Sequence, residues 1–193
     1  MTPFFTAGTD GSGMYEVEVK VAADLAAVAE RLDELGATQT SDVVQVDTYY
    51  DAPHRNFAET DEALRVRRET RAGETEARIT YKGPLVEAES KTREEFETAV
   101  DDGETVDIIF EKLGFAPAAT VEKDRRCYRY DGYTVTLDAV EGVGEFVEVE
   151  TETDEDGVER AREGAYDVLR ELGLDPESQI QTSYLGMLLD DSS

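Results

Sequence analysis

Carboxylates and one lysine alternate with valine near the start of the chain. Successive side chains of a β-strand point to opposite faces, so Glu16, Glu18 and Lys20 would share one face and the two valines between them the other. Carboxylate oxygens are hard ligands that suit Mg²⁺ or Mn²⁺, and an ammonium group attracts phosphate oxygens as a point charge. Taken alone, the stretch is also typical of an edge strand with a solvated polar face.

The same alternation of charge with Val, Ile, Thr, Tyr and Phe recurs along the chain. The basic members are Lys20, Arg65, Arg67, Lys82, Lys91, Arg93, Lys123 and Arg125, and the acidic members are Glu16, Glu18, Asp138, Glu148 and Glu150. Burying a lone ion is costly, so strands with one charged face must enclose water, counter-charges or an ionic ligand. A closed antiparallel barrel provides such an interior, because alternate side chains of every strand enter its lumen.

The two sets of charge suit two parts of one ligand. Arginine forks and lysine ammonium groups bind polyphosphate oxygens, and the acids offer oxygen ligands for a divalent cation that bridges them. The pattern therefore predicts a metal-polyphosphate ligand in a charged interior. The alternative is an exposed meander laced with surface ion pairs, each worth only about 0–1 kcal/mol.

The overall charge restricts the partners. A formal charge of -27, from 46 acidic and 19 basic residues, repels phosphate backbones and anionic membranes, so we expect neither general nucleic-acid binding nor membrane association. Only five of the basic residues are lysine and 14 are arginine. Such an acid-rich and lysine-poor composition indicates a high-salt cytoplasm, where screening makes self-repulsion tolerable. We therefore predict a halophilic host and a cytoplasmic location.

Two residue types limit the chemistry. The single cysteine, Cys127, excludes an internal disulfide framework and a cysteine metal cluster. The single histidine, His54, excludes a multi-histidine metal site. It stands beside Pro53 in a predicted turn, and we interpret it as a surface residue.

Three amphipathic helices and a series of strands must position the charged residues. The helices begin after Asp24, near Val106 and near Val158, and each ends at a glycine that follows a leucine. In the second helix, the buried face would consist of Val106, Ile109, Phe110 and Leu113. Beyond the first strand, the strand-like segments are residues 43–50, 63–69, 77–83, 92–100, 121–130, 133–140 and 145–151. Every strand is needed for one sheet, so residues 14–189 are predicted to form a single domain, preceded by a disordered extension over 1–13 and followed by an acidic tail over 190–193. Met14 would then be the first residue of the fold.

The charged stretches resemble the CYTH superfamily, the triphosphate tunnel metalloenzymes. The first strand, Glu16-Val17-Glu18-Val19-Lys20, resembles the ExExK signature of that family. Matching phrases then follow in order: Asp47-Thr48-Tyr49-Tyr50-Asp51, Leu64-Arg65-Val66-Arg67, Thr80-Tyr81-Lys82-Gly83, Lys91-Thr92-Arg93-Glu94-Glu95, Lys123-Asp124-Arg125, Leu137-Asp138, Gly144 to Glu150, and Ser183-Tyr184-Leu185. The resemblance covers nearly the whole chain, from Met14 to about Leu189.

The resemblance implies an α+β fold: a closed tunnel of eight antiparallel strands with helices outside, which binds a triphosphate and Mg²⁺ or Mn²⁺. It assigns the metal to Glu16, Glu18, Asp138, Glu148 and Glu150. It assigns phosphate to Lys20, Arg65, Arg67, Lys82, Lys91, Arg93, Lys123 and Arg125. Catalysis is assigned to Lys20, Glu95, Lys123 and Arg125, although the role of Glu95 is not fixed, and Tyr184 would help close the tunnel.

The resemblance is strongest to the class IV adenylyl cyclases, which convert ATP to cyclic AMP and pyrophosphate. A triphosphatase acting on inorganic, thiamine or another organic triphosphate is the alternative, because shared motifs do not establish a shared reaction. A third hypothesis is a non-catalytic module that binds a nucleotide or polyphosphate. Related cyclases resemble dimers, which raises a homodimer here as well, but no interface stripe stands out in the sequence.

Overall fold

A computed structural model describes residues 15–60, 62–84 and 95–190. Within them the strands are β1 (Tyr15–Ala22), β2 (Thr38–Asp51), β3 (Ala63–Arg71), β4 (Glu74–Lys82), β5 (Glu95–Val100), β6 (Ala116–Tyr130), β7 (Tyr133–Val140) and β8 (Gly144–Thr153). The helices are α1 (Leu25–Glu34), α2 (Phe57–Thr60), α3 (Gly103–Lys112), α4 (Val158–Glu171) and α5 (Tyr184–Asp190). None of these helices is long and apolar enough to cross a membrane.

The strands form one sheet in the order β1-β8-β7-β6-β2-β3-β4-β5. Every neighbouring pair is antiparallel, which confirms the α+β class and the eight antiparallel strands. Over the described ranges, β1 and β5 are the two edges and are not paired with each other. The predicted closure of the sheet into a barrel is therefore not confirmed.

The largest apolar core lies between one face of the sheet and two helices. The valines of β1 and β8 pack there with α1 and α4, in a cluster that includes Val19, Val21, Val149, Leu32 and Leu169. Because side chains alternate, the charged residues between these valines are left on the opposite face. Packing of α1 and α4 thus fixes which face of β1 and β8 carries charge.

Residues next to the helix determine both ends of α1. The Asp24 side chain accepts hydrogen bonds from the amides of Ala26 and Ala27 at 2.9 and 3.1 Å, which satisfies donors that the first turn leaves open. Gly36 adopts a φ of 75° just after the helix, a conformation that glycine reaches without a side-chain clash. The predicted start and end of this helix are confirmed.

Helix α3 packs differently from its prediction. We expected Val106, Ile109, Phe110 and Leu113 to form its buried face, but Ile109 is 49% exposed and Leu113 is 64% exposed. Val106 and Phe110 do pack on the sheet, together with Asp107, which accepts a 2.6 Å hydrogen bond from the Tyr50 hydroxyl and pairs with Arg68. The face of α3 that contacts the sheet therefore includes Asp107 and leaves Ile109 and Leu113 exposed. A pattern of apolar residues alone cannot show this orientation.

The C-terminal helix α5 was not predicted. Tyr184 at its start packs with Val121, Val140 and Phe146 in a separate apolar cluster. The segment before α5 crosses the edge of the sheet, where the Ile180 amide donates a 2.8 Å hydrogen bond to the carbonyl of Lys20. Helix α5 therefore lies against the sheet beside the residues that carry charge.

Candidate active site

The strand register brings the predicted site residues onto one face of the sheet. Lys20 lies opposite Glu148 on β1 and β8, and Arg125 lies opposite Asp138 on β6 and β7. Partners directly opposite in an antiparallel pair project to the same side. We call this side the charged face, defined by Lys20, Asp47, Arg65, Arg67, Lys123, Arg125, Asp138 and Glu148.

One ion cluster on the charged face joins β6, β7 and β8. The Arg125 Nε donates to Asp138 Oδ1 at 2.7 Å, and its Nη2 donates to Glu148 Oε2 at 2.8 Å. Asp138 is fully buried. Burial alone would raise the pKa of Asp138, but the hydrogen bonds from Arg125 and the charges of Arg125 and Lys123 outweigh it, so the pKa is lowered. Asp138 is thus held as a carboxylate and fixes the guanidinium.

Two lysines complete this cluster. The Lys123 Nζ lies 3.5 Å from Asp138 Oδ2, and the Lys20 Nζ lies 3.9 Å from Glu148 Oε1. Burial and the neighbouring Arg125 charge lower the pKa of Lys123 to about 8, against the opposing effect of Asp138 and Glu148. An anion placed beside Lys123 would favour its charged form, so this residue is suited to bind phosphate.

A second ion cluster joins β2 and β3; its arginines were predicted as site residues, but Asp47 was not. Asp47 is 2% exposed and accepts two hydrogen bonds from Arg67, at 2.7 and 2.6 Å, and one from Arg65 at 3.2 Å. Burial would raise the pKa of Asp47, but the hydrogen bond from Arg67 and the charges of Arg65 and Arg67 lower it overall. Asp47 is the first residue of the Asp47 to Asp51 phrase. That phrase was compared with the family as a whole, and its first aspartate was not considered as a partner for the arginines.

Tyr184 covers the lysines from α5. Its ring centroid lies 4.5 Å from the Lys20 Nζ and 5.1 Å from the Lys123 Nζ, both within cation-π range. Its hydroxyl is buried without a hydrogen-bond partner of normal geometry. Burial and the carboxylates of Glu148 and Asp138 raise the pKa of Tyr184 far above its ordinary value. The predicted closing residue thus lies directly over two predicted phosphate ligands.

The acidic residues at the β1-β8 end have the donor chemistry of a divalent-metal site. Glu18 lies opposite Glu150 in the register, beside the Lys20-Glu148 pair. Among the described side chains, no group of three or more His, Cys, Asp or Glu is gathered as a metal cluster, and both Glu148 oxygens already contact cations. The carboxylates of β1 and β8 are therefore of the right chemical type to bind a divalent metal. To bind the metal, the Glu148 carboxylate would have to give up its contact with Lys20 or Arg125.

For several of the remaining predicted site residues, the structure describes only the backbone or does not describe the residue. Lys82 on β4 lies opposite Glu95 on β5, and Glu16 on β1 lies opposite Glu152 on β8. Only the backbone of Glu16 and Glu95 is described, so their register is known and nothing more. Lys91 and Arg93 lie outside the described residues. His54 is exposed, with its ring centroid 6.5 Å from that of Phe115, in agreement with its prediction as a surface residue.

The eight antiparallel strands, with paired acids and bases along one face, match the tunnel that the sequence resemblance implied in strand number and direction but not in closure, and comparison with known proteins identifies the family. Residues 14–184 match the model of the CYTH domain. The chain therefore belongs to the CYTH domain family. Membership of this family of triphosphate tunnel metalloenzymes implies dependence on a divalent metal and a nucleotide or other triphosphate as substrate.

Individual relatives support the assignment. A Methanocaldococcus jannaschii protein, named as a candidate adenylate cyclase, is 37% identical over 174 residues, which span 89% of this chain and 97% of that protein. A Pyrococcus horikoshii protein of solved structure is 38% identical, has a TM-score of 0.82, and aligns over 92% of this chain and 99% of its own. A candidate adenylyl cyclase from Hippeastrum, described as having a dominant triphosphatase activity, shares the fold with a TM-score of 0.69 at 20% identity, over 92% of this chain and 95% of that one.

Proposed function

We propose that this protein is a metal-dependent adenylyl cyclase, which converts ATP to cyclic AMP and pyrophosphate at the charged face. The observation that carries the proposal is the convergence of Lys20, Lys123 and Arg125 with Arg65 and Arg67 on one face of the sheet. The choice of cyclase over other triphosphate chemistry is supported by the likeness to the Methanocaldococcus jannaschii protein.

The cations are arranged for a ligand with several phosphates. Arg65 and Arg67 converge on Asp47 at one side, and Arg125 and Lys123 converge on Asp138 at the other. Val43 and Gln45 of β2 lie opposite Arg125 and Lys123 of β6, so the two clusters occupy adjacent strands. A chain of phosphates laid across β6, β2 and β3 would meet both clusters, and each buried aspartate holds its guanidinium in place before the ligand arrives.

The carboxylates of β1 and β8 would hold the metal. We assign Glu18, Glu148 and Glu150, with Glu16 placed beside them by register, and we keep Asp138 as a further candidate. When bound, the metal supplies positive charge that lowers the repulsion between the phosphates and an attacking oxygen. Mg²⁺ and Mn²⁺ both prefer oxygen ligands of this kind.

The cyclase reaction then depends mainly on positioning. The ribose 3′-hydroxyl gives its proton to water and its oxygen forms a bond to the α-phosphorus, while the bond from that phosphorus to the bridging oxygen breaks and pyrophosphate leaves with the electron pair. Lys20, Lys123 and Arg125 would stabilise the charge that develops on the transferred phosphate and the leaving group. Arg65, Arg67 and Lys82 would hold the rest of the triphosphate, with Lys91 and Arg93 as further candidates. Glu95, opposite Lys82, keeps its assignment as a catalytic candidate whose role is not fixed.

A triphosphatase would use the same cations. In that reaction water attacks the terminal phosphorus, so no ribose hydroxyl is needed and the triphosphate lies in another register. This second function is favoured by the composition of the charged face, whose predicted ligands all suit phosphate or metal and none a nucleobase.

Product analysis tests the proposal. Purified protein in molar KCl is given Mg²⁺ or Mn²⁺ with ATP, 3′-deoxy-ATP or inorganic triphosphate, and the products are separated by chromatography. We expect cyclic AMP with pyrophosphate from ATP, and binding without reaction for 3′-deoxy-ATP, which lacks the nucleophile. His54→Ala is the control variant, and it should retain nearly full activity because His54 is exposed and outside the charged face.

Two results would overturn the assignment. Orthophosphate released from inorganic triphosphate with a much higher kcat/KM than any cyclisation of ATP would make the protein a triphosphatase. Tight binding of ATP and inorganic triphosphate with no product from either would make it a binding module.

A further inference from the structure

Gln45 is a polar residue on the charged face that the proposed phosphate and metal sites do not use. It lies opposite Lys123 on one side and opposite Glu69 on the other, and it is 4% exposed. Its Oε1 atom is buried and has no hydrogen-bond partner. The buried carboxylates of the same face, Asp47 and Asp138, are by contrast fully matched by arginine.

The orientation of the Gln45 amide follows from its neighbour. The Nε2 group donates a 2.7 Å hydrogen bond to the Glu69 Oε2 atom, and a carboxylate accepts but does not donate. Turning the amide over would place its oxygen against the carboxylate of Glu69 and lose this bond. The unmatched atom is therefore the acceptor oxygen, and a buried acceptor without a donor costs free energy.

The chemistry of an acceptor limits the group that can match it. Phosphate oxygens only accept when ionised, so the triphosphate itself cannot satisfy Gln45 Oε1. The metal ligands assigned above are on β1 and β8, and two strands separate β8 from β2 in the sheet, so the metal does not match Gln45. What remains is a neutral N–H or O–H donor. In a nucleoside triphosphate such donors occur only on the nucleoside, as ribose hydroxyls or as an exocyclic amine.

Gln45 lies opposite Lys123, which the proposed function places at the transferred α-phosphate, and the nucleoside is bonded to that phosphate. Gln45 stands two residues before Asp47, which holds Arg65 and Arg67, and same-face residues of one strand are about 6.6 Å apart. Gln45 is thus next to the proposed phosphate ligands on two sides. Since Lys123 lies beneath the Tyr184 ring, a donor would reach this part of the face after Tyr184 has moved.

We propose that Gln45 is a specificity-determining residue, whose Oε1 accepts a hydrogen bond from the nucleoside of the substrate. Glu69 is its positioning residue, since it fixes the amide through the Nε2 group. The inference rests on the proposed function and deepens it, because a site for a nucleoside donor distinguishes ATP from inorganic triphosphate. An enzyme with such a site loses discrimination when the acceptor is removed.

Binding measurements on Gln45→Leu test the inference. The dissociation constants of ATP and inorganic triphosphate are measured by calorimetry in molar KCl without divalent metal, so that neither ligand turns over. We expect Gln45→Leu to weaken ATP binding by about 10-fold and to change inorganic triphosphate binding by less than about 2-fold, since that ligand makes no bond to Gln45. Thr136→Val is the matched control: Thr136 is 1% exposed on the same face, opposite Glu148, and its substitution should leave the ratio of the two constants unchanged.

Analogues identify the donor on the wild-type protein and do not depend on the variant folding. The set is 2′-deoxy-ATP, 3′-deoxy-ATP and inosine triphosphate, which lack the 2′-hydroxyl, the 3′-hydroxyl and the exocyclic amine respectively. The analogue without the donor should bind wild-type protein about 10-fold more weakly than ATP and should be insensitive to Gln45→Leu.

The outcomes separate this inference from the proposed function. Equal weakening of ATP and inorganic triphosphate by Gln45→Leu, or no weakening of ATP, would overturn the role of Gln45 even if cyclic AMP is formed. Selective weakening of ATP would support that role even if the protein made no cyclic AMP, which would overturn the cyclase instead. If the wild-type protein bound all three analogues as tightly as ATP, the role of Gln45 would also be overturned.

Discussion

Asp47→Asn should destabilise the fold strongly, because it removes the negative charge that holds two buried arginines. The substitution keeps the shape of the side chain but leaves the Arg65 and Arg67 guanidinium groups without their shared carboxylate. Breaking a buried ion pair by removing one partner costs about 3–5 kcal/mol. The two guanidinium side chains are 12% and 14% exposed, so water can reach them in part, and we expect the lower end of that range, about 3 kcal/mol.

The expected loss is large enough to measure by thermal unfolding. A domain of this size shifts its midpoint by about 2–4 °C per kcal/mol, so Asp47→Asn should lower Tm by about 6–12 °C in molar KCl at neutral pH. Circular dichroism follows the transition. The matched control is Asp124→Asn, since Asp124 is exposed and on the opposite face of β6, and its Tm should stay within about 2 °C of wild type.

The pH dependence gives an independent check. The pKa of Asp47 is lowered in the folded state, so the unfolded chain binds its proton more readily. The stabilisation is therefore fully present above the unfolded pKa of about 3.9 and is lost as pH falls through the lower folded pKa. The difference in Tm between wild type and Asp47→Asn should shrink in that acid range. A Tm for Asp47→Asn that matches the Asp124→Asn control at neutral pH would refute the reasoning.

Four further predictions concern metal, pH, the closing tyrosine and salt. Glu18→Gln and Glu148→Gln should each raise the metal concentration needed for half-maximal turnover by about 10-fold or more, and unchanged metal dependence in both would remove these residues from the metal site. The pKa of Lys123 is about 8, so the affinity for inorganic triphosphate should fall as pH rises through that value and the lysine loses its charge. In calorimetric titrations of Lys123→Arg, this fall in affinity near pH 8 should be absent. Tyr184→Phe should change Tm little, because the hydroxyl lies beside Glu148 and Asp138 but makes no hydrogen bond of normal geometry. Tyr184→Ala should cost about 3 kcal/mol through lost packing, and equal losses in the two variants would show that the hydroxyl forms a stabilising hydrogen bond. Since the formal charge is -27, Tm should rise from dilute buffer to molar KCl, and a flat or falling Tm would contradict the halophilic prediction.

The alternating strands were the part of the fold that sequence could predict well. β7 has the predicted bounds, Tyr133–Val140, because its side chains alternate clearly and a tight turn precedes it. β2 and β6 run longer than predicted, from Thr38 and from Ala116. These additional residues are largely exposed. Residues 38–42 of β2 pair with residues 126–129 of β6, and residues 116–120 of β6 pair with residues 48–51 of β2, so backbone hydrogen bonds extend these strands where no apolar pattern marks them.

The missed features depend on contacts between distant parts of the chain. Helix α5 has only seven residues, and its packing on β6 and β8 is not encoded in its own sequence. The role of Asp47 depends on two arginines from the next strand, and the contact face of α3 depends on Tyr50 and Arg68. Family resemblance located the cations and the acids, whereas the partners that hold each of them required the register of the sheet.

The position of β1 in the sheet affects the order of folding. β1 is made before the other seven described strands, yet it pairs in the sheet with β8, where Tyr15 lies opposite Thr153. Contacts between residues so far apart in sequence form slowly, because a long loop must close before they are gained. During synthesis β1 would therefore stay unpaired until most of the chain has emerged. The bond from Ile180 to the Lys20 carbonyl can form only later still, so we expect Lys20 to be the last part of the charged face to be placed, when the segment around Ile180 docks on β1.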